Sequence, residues 1–369
     1  MRFELVEEPG SIVYKHSERL ILCRPKNPAR HEASLEEQLE ASLRLIKNKK
    51  RATLRNPYPR SDKIHVPVLH LDHLLLGEHG ITVSSDAIAL CCERGVDLTI
   101  VNKRGIPIGK FFAPALHGTC RTRRAQISAY SKPSGQSFAI SVVIGKLKNQ
   151  MLNLKYFTKS RVQKKELVKC SKEASLRIQT ICDSISALGV FKDMESCREA
   201  VMSMEAAAAR EYWFVLSIIF GKETFPEREQ RGTKNPVNAA LNYAYGVLAA
   251  EIWRATILAG LEPYAGFLHA DRPGRLSFVL DLMEEFRPIF DRIVFSLISK
   301  KWKIELDDHH WLTIDCKRRL LDTIAEKMDK KELYKDKQHS LRNIMQLQAR
   351  SAAMHFLGKE TYKPFVQGW

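Results

Sequence analysis

The stretch between Asn235 and Gly260 constrains the fold most, because it reads as a helix with almost no polar face. Its body, VNAALNYAYGVLAAEIWRATILAG, is apolar at nearly every position, and a helix that is apolar all round has to be surrounded by protein. Asn235 supplies an N-cap and Pro236 the first helical residue, while Gly260 and Pro263 end the helix. We therefore expect a buried helix at the centre of a helical domain.

Three other segments place a potential metal ligand or proton-transfer group among apolar or small residues. They are MEAAAAREYW with Glu205, GFLHADRPGRLSF with His269, and VLDLMEEFRP with Asp281 and Glu284. A carboxylate in such a setting is costly to bury without a partner. Asp281 and Glu284 are three residues apart on a helix that we expect to begin near Leu276, so they share a face.

One imidazole with two or three carboxylates, and no cysteine, suits a hard divalent ion such as Mg²⁺ or Mn²⁺. Such an ion polarises a phosphate and activates a hydroxyl, which is the chemistry of phosphoryl transfer. The alternative is that the acids are solvated helix residues and that the histidine is structural.

The charge of the chain favours a nucleic-acid partner. Lysine and arginine number 59 against 42 aspartate and glutamate, so the formal net charge is +17 and the pI is near 9.5. That excess fits DNA or RNA, although a merely basic protein or a membrane-surface binder stays open on charge alone. Residues 221–234 read as a loop, and Arg228 and Arg231 within it are candidate phosphate contacts.

The eight cysteines indicate a reducing compartment. None forms a C-x-x-C pair, and most lie in apolar or helical contexts. The first residues, MRFELVEEPGS, carry acids where a secretory signal has a basic and then an apolar region. No apolar run approaches the length of a membrane span. We therefore expect a cytoplasmic protein that is not inserted in a membrane.

The hydrophobic period changes from strand-like to helical near residues 113–124, where proline, glycine and the basic run RTRR interrupt the pattern. We predict an α+β protein, with a small N-terminal β-rich domain followed by a larger all-α catalytic domain. The predicted boundaries are 1–115 for the first domain, 116–124 for a linker and 125–369 for the second. Helices are expected over about 137–157, 166–188 and 193–219.

Within the first domain the pattern is specific enough to predict single elements. SIVYKHSERLILCR reads as a hairpin, and KIHVPVLHLDHLLL as one strand that enters a core. In GITVSSDAIALCCERG a short strand precedes a helix capped by Ser84 or Ser85 and ended by Gly95. VDLTIVNKRGIPIGKFF reads as two strands around a turn. Residues of about 30–60 carry a capping box and a leucine stripe, and we interpret them as a helical insertion.

Several histidines outside these segments do not have the spacing of metal ligands. Along KIHVPVLHLDHLLL they alternate with apolar residues and have no carboxylates at fixed spacing. His309 and His310 are adjacent, and adjacent residues on a strand point to opposite faces. We expect structural or solvated roles for them.

Several sequence segments of the chain resemble those of one known family. The segments MEAAAAREYW, KNPVNAALNYAYGVL and GFLHADRPGRLSFVLDLMEEFRP occur in the order and local form of the CRISPR-associated integrases, the Cas-one adaptation family. GITVSSDAIALCCERGVDLTIVNKRG and YKPFVQGW extend the resemblance over most of the chain. It implies that Glu205, His269 and Glu284 hold Mg²⁺ or Mn²⁺, and that Asp281 is an accessory catalytic acid.

The resemblance also implies an activity and partners. The enzyme would be a metal-dependent DNA endonuclease and integrase that inserts spacer DNA into a CRISPR array. In that reaction a 3′-hydroxyl of the fragment attacks a phosphodiester of the repeat. A homodimer formed through the N-terminal domain would join the Cas-two adaptation partner. The predicted insertion at about 30–60 makes one connection longer than is usual in the family.

Two alternatives stay open on the sequence. One is a transposon-type integrase or a branched-DNA repair nuclease that uses the same ions. The other is a basic DNA-binding scaffold without enzymatic activity. Acids in apolar settings argue against a scaffold, because a scaffold has no need to bury them.

Overall fold

A computed structural model describes residues 2–25, 61–113, 120–159, 161, 163–230 and 232–368. The predicted helical insertion at about 30–60 and residues 116–119 of the predicted linker lie outside the described residues. The chain divides into two compact units. The first is Met1–Lys103 with Pro107–Pro114, and the second is Arg104–Ile106 with Ala115–Trp369.

The first unit is built from short strands and one helix. In chain order its elements are β1 (Phe3–Val6), β2 (Ile12–His16), β3 (Arg19–Pro25), β4 (Ser61–Pro67), a 3-10 turn (Val68–His70), β5 (His73–Gly77), β6 (Thr82–Val83), α1 (Ser85–Arg94), β7 (Asp97–Val101) and β8 (Pro107–Phe111). They form two four-stranded sheets, β1-β5-β7-β8 and β4-β3-β2-β6. The first sheet is parallel except for the β7–β8 pair, and in the second only the β2–β6 pair is parallel.

Most of the predictions for this unit are confirmed. Strands β2 and β3 form the expected hairpin, with Ile12 opposite Cys23. Ser84 caps α1 by accepting a hydrogen bond from the amide of Ala87, and Gly95 ends it in the left-handed conformation with φ of 70°. Strands β7 and β8 pair around the expected turn.

One strand prediction is wrong. KIHVPVLHLDHLLL is divided between β4 and β5, which belong to different sheets, with the 3-10 turn between them. The break follows Pro67, which has no amide proton to continue the ladder. The continuous apolar run after it is therefore a second, separate strand.

The second unit is mainly helical. Its helices are α2 (Cys120–Ala129), α3 (Pro133–Lys159), α4 (Lys165–Ser186), α5 (Met194–Phe220), α6 (Pro236–Leu258), α7 (Ser277–Met283), α8 (Arg287–Ser299), α9 (Ile314–Asp329) and α10 (Leu341–Phe356). Helices α3, α4 and α5 match the three predicted helical segments, and they pack on one another. These three long helices therefore form one packed group within the unit.

Helix α6 is the central helix that its composition predicts. Asn235 caps it by accepting a hydrogen bond from the amide of Asn238, and Pro236 occupies the first turn. Residues along its whole length are buried, and α7, α8, α9 and α10 all pack against it. Helix α6 ends at Leu258, and the loop that follows it carries His269 and leads into α7.

The expectation of an all-α second domain is wrong in one element. Strands β9 (Lys331–Tyr334) and β10 (Lys337–Ser340) form an antiparallel hairpin between α9 and α10. Its turn places Lys335 and Asp336 at φ of 48° and 63°. The segment KELYKDKQHS is rich in charged residues and has few apolar ones. Its composition therefore does not predict strands.

Candidate metal-dependent active site

Glu205 lies on the buried stripe of α5. Val201, Ala208 and Tyr212 are completely buried, and Glu205 falls between them at the spacing that shares one helical face. Only 19% of its side chain is exposed to solvent. Its Oε1 accepts a hydrogen bond from Lys146 Nζ at 2.6 Å. The acid therefore points at α3 and not at bulk solvent.

Lys146, on α3, joins two of the predicted site acids. Its Nζ lies 2.6 Å from Glu205 Oε1 and 2.6 Å from Glu284 Oε2. Burial alone would lower the pKa of Lys146, but the charges of Glu284 and Glu205 raise it above its ordinary value. The side chain is therefore a cation held between two anions. Its sequence context, one basic residue among 59, does not distinguish it.

Asp281 holds the loop that carries His269. Its Oδ2 accepts hydrogen bonds from the amides of Phe267 at 2.6 Å and Leu268 at 3.0 Å. Its Oδ1 accepts from the amide of His269 and lies 2.8 Å from the His269 Nδ1. Because a carboxylate only accepts, Nδ1 carries a proton, and in the neutral ring it is Nε2 that has the lone pair. Asp281 is completely buried, and this geometry suits the orientation of His269.

The free ring nitrogen of His269 faces Glu284. His269 Nε2 lies 3.8 Å from Glu284 Oε1, and Arg287 Nε lies 3.0 Å from the same oxygen. Burial would raise the pKa of Glu284, but the charges of Arg287, Lys146 and His269 outweigh it and lower the pKa to about 2. Glu284 is therefore an anion at neutral pH, although only 3% of the residue is exposed.

These side chains fit a divalent cation. Two carboxylates and one imidazole nitrogen form the oxygen-rich donor set that Mg²⁺ and Mn²⁺ accept. The buried Oε2 of Glu284 already faces a cation, the Lys146 ammonium at 2.6 Å. In the part of the chain that the structure describes, these three residues do not form a closed metal site: the ligand atoms of Glu205, His269 and Glu284 do not all lie within 4.8 Å of one another. The Lys146 ammonium lies between the two carboxylates instead.

A third buried carboxylate, Asp291, connects helices that carry the site. Asp291, on α8, accepts hydrogen bonds from Tyr212 at 3.0 Å and from Tyr245 at 2.5 Å. Burial raises the pKa of Asp291 to about 6, while the two tyrosine hydroxyls oppose the rise. The guanidinium of Arg287 lies 4.9 Å from the centre of the Tyr245 ring. The cluster thereby connects α5, α6 and α8 to the residue that pairs with Glu284.

Arg228 is bound to the central helix. Its guanidinium donates to the side-chain oxygens of Asn238 at 3.1 Å and Asn242 at 2.6 Å, and it lies over the rings of Trp213 and Tyr245. The two asparagines hold the loop that carries Arg228. The other predicted phosphate contact, Arg231, lies outside the described residues.

Three histidines for which we expected structural or solvated roles, His73, His309 and His310, lie outside the segments that carry the candidate metal ligands. His73 is in the first unit, where its Nδ1 is 3.3 Å from Asp97 Oδ2 and Lys110 Nζ is 2.5 Å from the same oxygen. His309 and His310 are exposed. None of the helices in the described part of the chain combines the length and the apolar character that a bilayer crossing requires.

Comparisons of the sequence with known proteins agree on one family. The family model described as CRISPR associated protein Cas1 matches residues 40–356. CRISPR-associated endonuclease Cas1 1 of Archaeoglobus fulgidus is 33% identical over 315 residues, which cover 80% of this chain and 89% of that protein. The protein called CRISPR-associated endonuclease Cas1 1 of Francisella tularensis subsp. novicida is 30% identical over 333 residues, or 90% of this chain and 96% of that protein.

Solved structures share the fold. A casposase bound to integration product superposes with a TM-score of 0.76 at 19% identity, covering 99% of this chain and 93% of that chain. A CAS1 protein from Thermotoga maritima superposes with a TM-score of 0.65 at 15% identity, covering 100% and 99%. The match of the family model over most of the sequence and the two relatives at 30% identity or more lead to one conclusion: the chain belongs to the CRISPR-associated Cas1 family.

Proposed function

We propose that this protein is a metal-dependent DNA endonuclease and integrase that inserts spacer DNA into a CRISPR array. The observation that carries the proposal is that Glu205 of α5 and Glu284 at the end of α7 share the Lys146 ammonium, while Nε2 of His269, from the α6–α7 loop, faces Glu284 at 3.8 Å. The names of the relatives support it, because they describe endonucleases. The net charge of +17 supports a DNA substrate.

In this proposal Glu205, His269 through Nε2, and Glu284 hold Mg²⁺ or Mn²⁺. When bound, the ion supplies Lewis acidity, which polarises a phosphate and lowers the pKa of the attacking hydroxyl. Asp281 keeps the proton of His269 on Nδ1, so that Nε2 remains a ligand. Arg287 fixes Glu284 through Oε1 and adds positive charge where a phosphate would approach.

The reaction is a transesterification. The 3′-hydroxyl of a spacer fragment attacks a phosphodiester in the repeat, a new phosphorus–oxygen bond forms, and the former 3′-oxygen of the repeat leaves. The proton of the attacking hydroxyl passes to solvent. Phosphate contacts by Arg228 and Arg231 remain predictions, and Arg228 would have to exchange its asparagine partners for a phosphate.

The domain boundaries and partners are part of the same proposal. Residues 1–115 form the β-rich domain through which two copies dimerise, 116–124 form the linker, and 125–369 form the catalytic domain. The dimer assembles with the Cas-two partner on double-stranded DNA, and structures titled as Cas6-RT-Cas1–Cas2 complexes share the fold. We place the protein in the cytoplasm, which suits eight cysteines that are all free.

Strand transfer tests the proposal. A short duplex with free 3′-hydroxyls is mixed with a supercoiled plasmid that carries a repeat, with Mn²⁺, and with or without the partner protein. We expect wild-type protein to join the DNAs, and Glu205→Ala to lose more than about 100-fold in rate because a metal ligand is missing. Glu211→Ala is the matched control, since Glu211 lies on the same helix and pairs with Arg177 at the surface.

The outcomes separate the alternatives. Equal joining by wild type and Glu205→Ala would place the chemistry elsewhere. Joining that ignores the repeat would favour a transposon-type integrase, and cleavage of branched DNA without joining would favour a repair nuclease. DNA binding without metal-dependent chemistry, with the partner protein present, would favour a scaffold.

A further inference from the structure

We propose that Lys146 is a built-in substitute for the metal ion: its ammonium occupies the place between Glu205 and Glu284 that the divalent ion takes, and the ion binds by displacing it. This inference rests on the proposed metal ligands. The observation behind it is that one Nζ lies 2.6 Å from a carboxylate oxygen of each acid. A single cation placed between two anions from different helices has the arrangement of a metal in a carboxylate site.

The two acids need a cation when the metal is absent. Glu284 is nearly inaccessible and Glu205 mostly so, with side-chain exposures of 4% and 19%. A buried charge without a partner destabilises a fold strongly, and two like charges side by side repel. Lys146 therefore stabilises the metal-free protein, because it neutralises part of the charge that the ion would otherwise neutralise.

The contact with Glu284 has the character of an exchangeable ion pair. The ammonium lies 2.6 Å from Glu284 Oε2 and 2.6 Å from Glu205 Oε1. Arg287 contacts the other oxygen of Glu284. A lysine is a point charge on a flexible stem, whereas the arginine fork is planar and directional. We therefore expect Lys146 to leave and Arg287 to stay when the ion binds.

The backbone beneath Lys146 is fixed. A Cβ at Gly145 would lie 2.6 Å from Pro364 Cβ and 3.3 Å from Glu285 Cβ, so α3 packs at this point as closely as only glycine allows. Glu285 in turn accepts hydrogen bonds from the Tyr362 hydroxyl and the Phe365 amide. The backbone at Lys146 is therefore held in place by this packing, and we expect displacement to move only the side chain and its ammonium group.

A consequence is that Lys146 lowers the affinity for metal. The ion has to break two ion pairs before it binds, and it then has a positive charge close by. Replacing Lys146 with an uncharged side chain of similar length removes both costs. The carboxylates can then close around the ion, whereas in this structure the Lys146 ammonium lies between them.

Direct measurement of Mn²⁺ binding tests the inference. We would titrate Mn²⁺ into full-length wild type and Lys146→Met and follow free Mn²⁺ by electron paramagnetic resonance. We expect Lys146→Met to bind Mn²⁺ about tenfold more tightly, which is a modest share of the Coulomb interaction at this distance. Without metal, the melting temperature of Lys146→Met should be lower than that of wild type. Mn²⁺ should raise the melting temperature of Lys146→Met by more than it raises that of wild type.

Lys327→Met is the matched control. Lys327 forms an ion pair with Glu332, which is similarly shielded, in another part of the helical unit. Its loss should leave the Kd for Mn²⁺ unchanged. If Lys146→Met binds Mn²⁺ no more tightly than wild type, Lys146 is only a structural ion-pair partner and the inference is wrong. If wild type itself binds no Mn²⁺, the proposed metal site fails instead.

A second measurement uses wild-type protein alone, in case Lys146→Met does not fold. The reactivity of Lys146 with an amine-acylating reagent is quantified by mass spectrometry with and without saturating Mn²⁺. Displacement should raise the labelling of Lys146 several-fold and leave Lys327 unchanged. Unchanged labelling of Lys146 with Mn²⁺ bound would overturn the inference.

Discussion

At the scale of the residue, the candidate site depends on how each carboxylate is satisfied. Asp281 uses its oxygens to accept from three backbone amides and to face His269 Nδ1. Glu284 faces Lys146 with Oε2 and Arg287 with Oε1, and the charges around it keep it ionised, with a pKa of about 2. In the proposed site, two acids three residues apart therefore have different tasks: one orients the histidine, and the other offers a ligand atom.

Replacement of Asp281 tests this division of tasks. In Asp281→Asn an amide NH₂ meets backbone N–H donors, and the acceptor for His269 Nδ1–H weakens. We expect the affinity for Mn²⁺ to fall about 10- to 100-fold, as it does when a histidine ligand loses its partner. The free energy of unfolding should fall by about 1–3 kcal/mol.

The control for that prediction is Asp193→Asn. Asp193 caps α5 by accepting from the amide of Ser196, and asparagine caps helices about as well as aspartate. This variant should keep both its stability and its affinity for Mn²⁺. Unchanged Mn²⁺ affinity in Asp281→Asn would show that Asp281 does not act on the metal through His269.

At the scale of the element, buried polar clusters fix the helices that carry the site. Asp291 on α8 joins Tyr212 of α5 and Tyr245 of α6. Asn153 of α3 donates to the Tyr212 hydroxyl at 2.9 Å and to the Pro288 carbonyl at 2.6 Å. Four helices are thus connected through side chains next to Glu205 and Glu284. Small shifts among them would change the spacing of the ligand atoms.

The raised pKa of Asp291 predicts how stability depends on pH. The value rises from 3.8 to about 6 on folding because the group is buried, so the folded state holds this proton more tightly than the unfolded state. The contribution of Asp291 is complete below about pH 4 and is lost as the pH rises through 6. The loss is at most about 3 kcal/mol.

Comparison with Asp291→Asn isolates this contribution from other titrating groups. The unfolding free energy of wild type relative to the variant should fall between pH 4 and pH 7, as measured by urea unfolding across that range. A difference that stays constant over those pH values would mean that Asp291 does not titrate in this way.

At the scale of the whole molecule, the sequence predicted the helical unit better than the details of the site. The apolar composition of α6 required a buried central helix, and its caps fixed the start of the helix. The resemblance selected Glu205, His269 and Glu284, but spacing alone could not bring together residues from three separate segments. Their convergence depends on tertiary packing.

Lys146 was overlooked for a physical reason. In a chain with 59 lysines and arginines a single cation has no distinguishing charge signal. Its setting was informative, because it follows SVVIG, in which Val142, Val143 and Gly145 are buried. A cation that follows an apolar helical run and is shielded from solvent needs an anionic partner, just as Glu205 needs a cation. Pairing these two signals would have predicted the contact.

The most direct test is a crystal structure of the full-length protein with Mn²⁺, with data collected for its anomalous scattering. We expect one strong anomalous peak within about 2.3 Å of Glu205, His269 Nε2 and Glu284, with the Lys146 ammonium moved away from both acids. Anomalous density elsewhere, and none between these three residues in protein that catalyses Mn²⁺-dependent strand transfer, would contradict the proposed site.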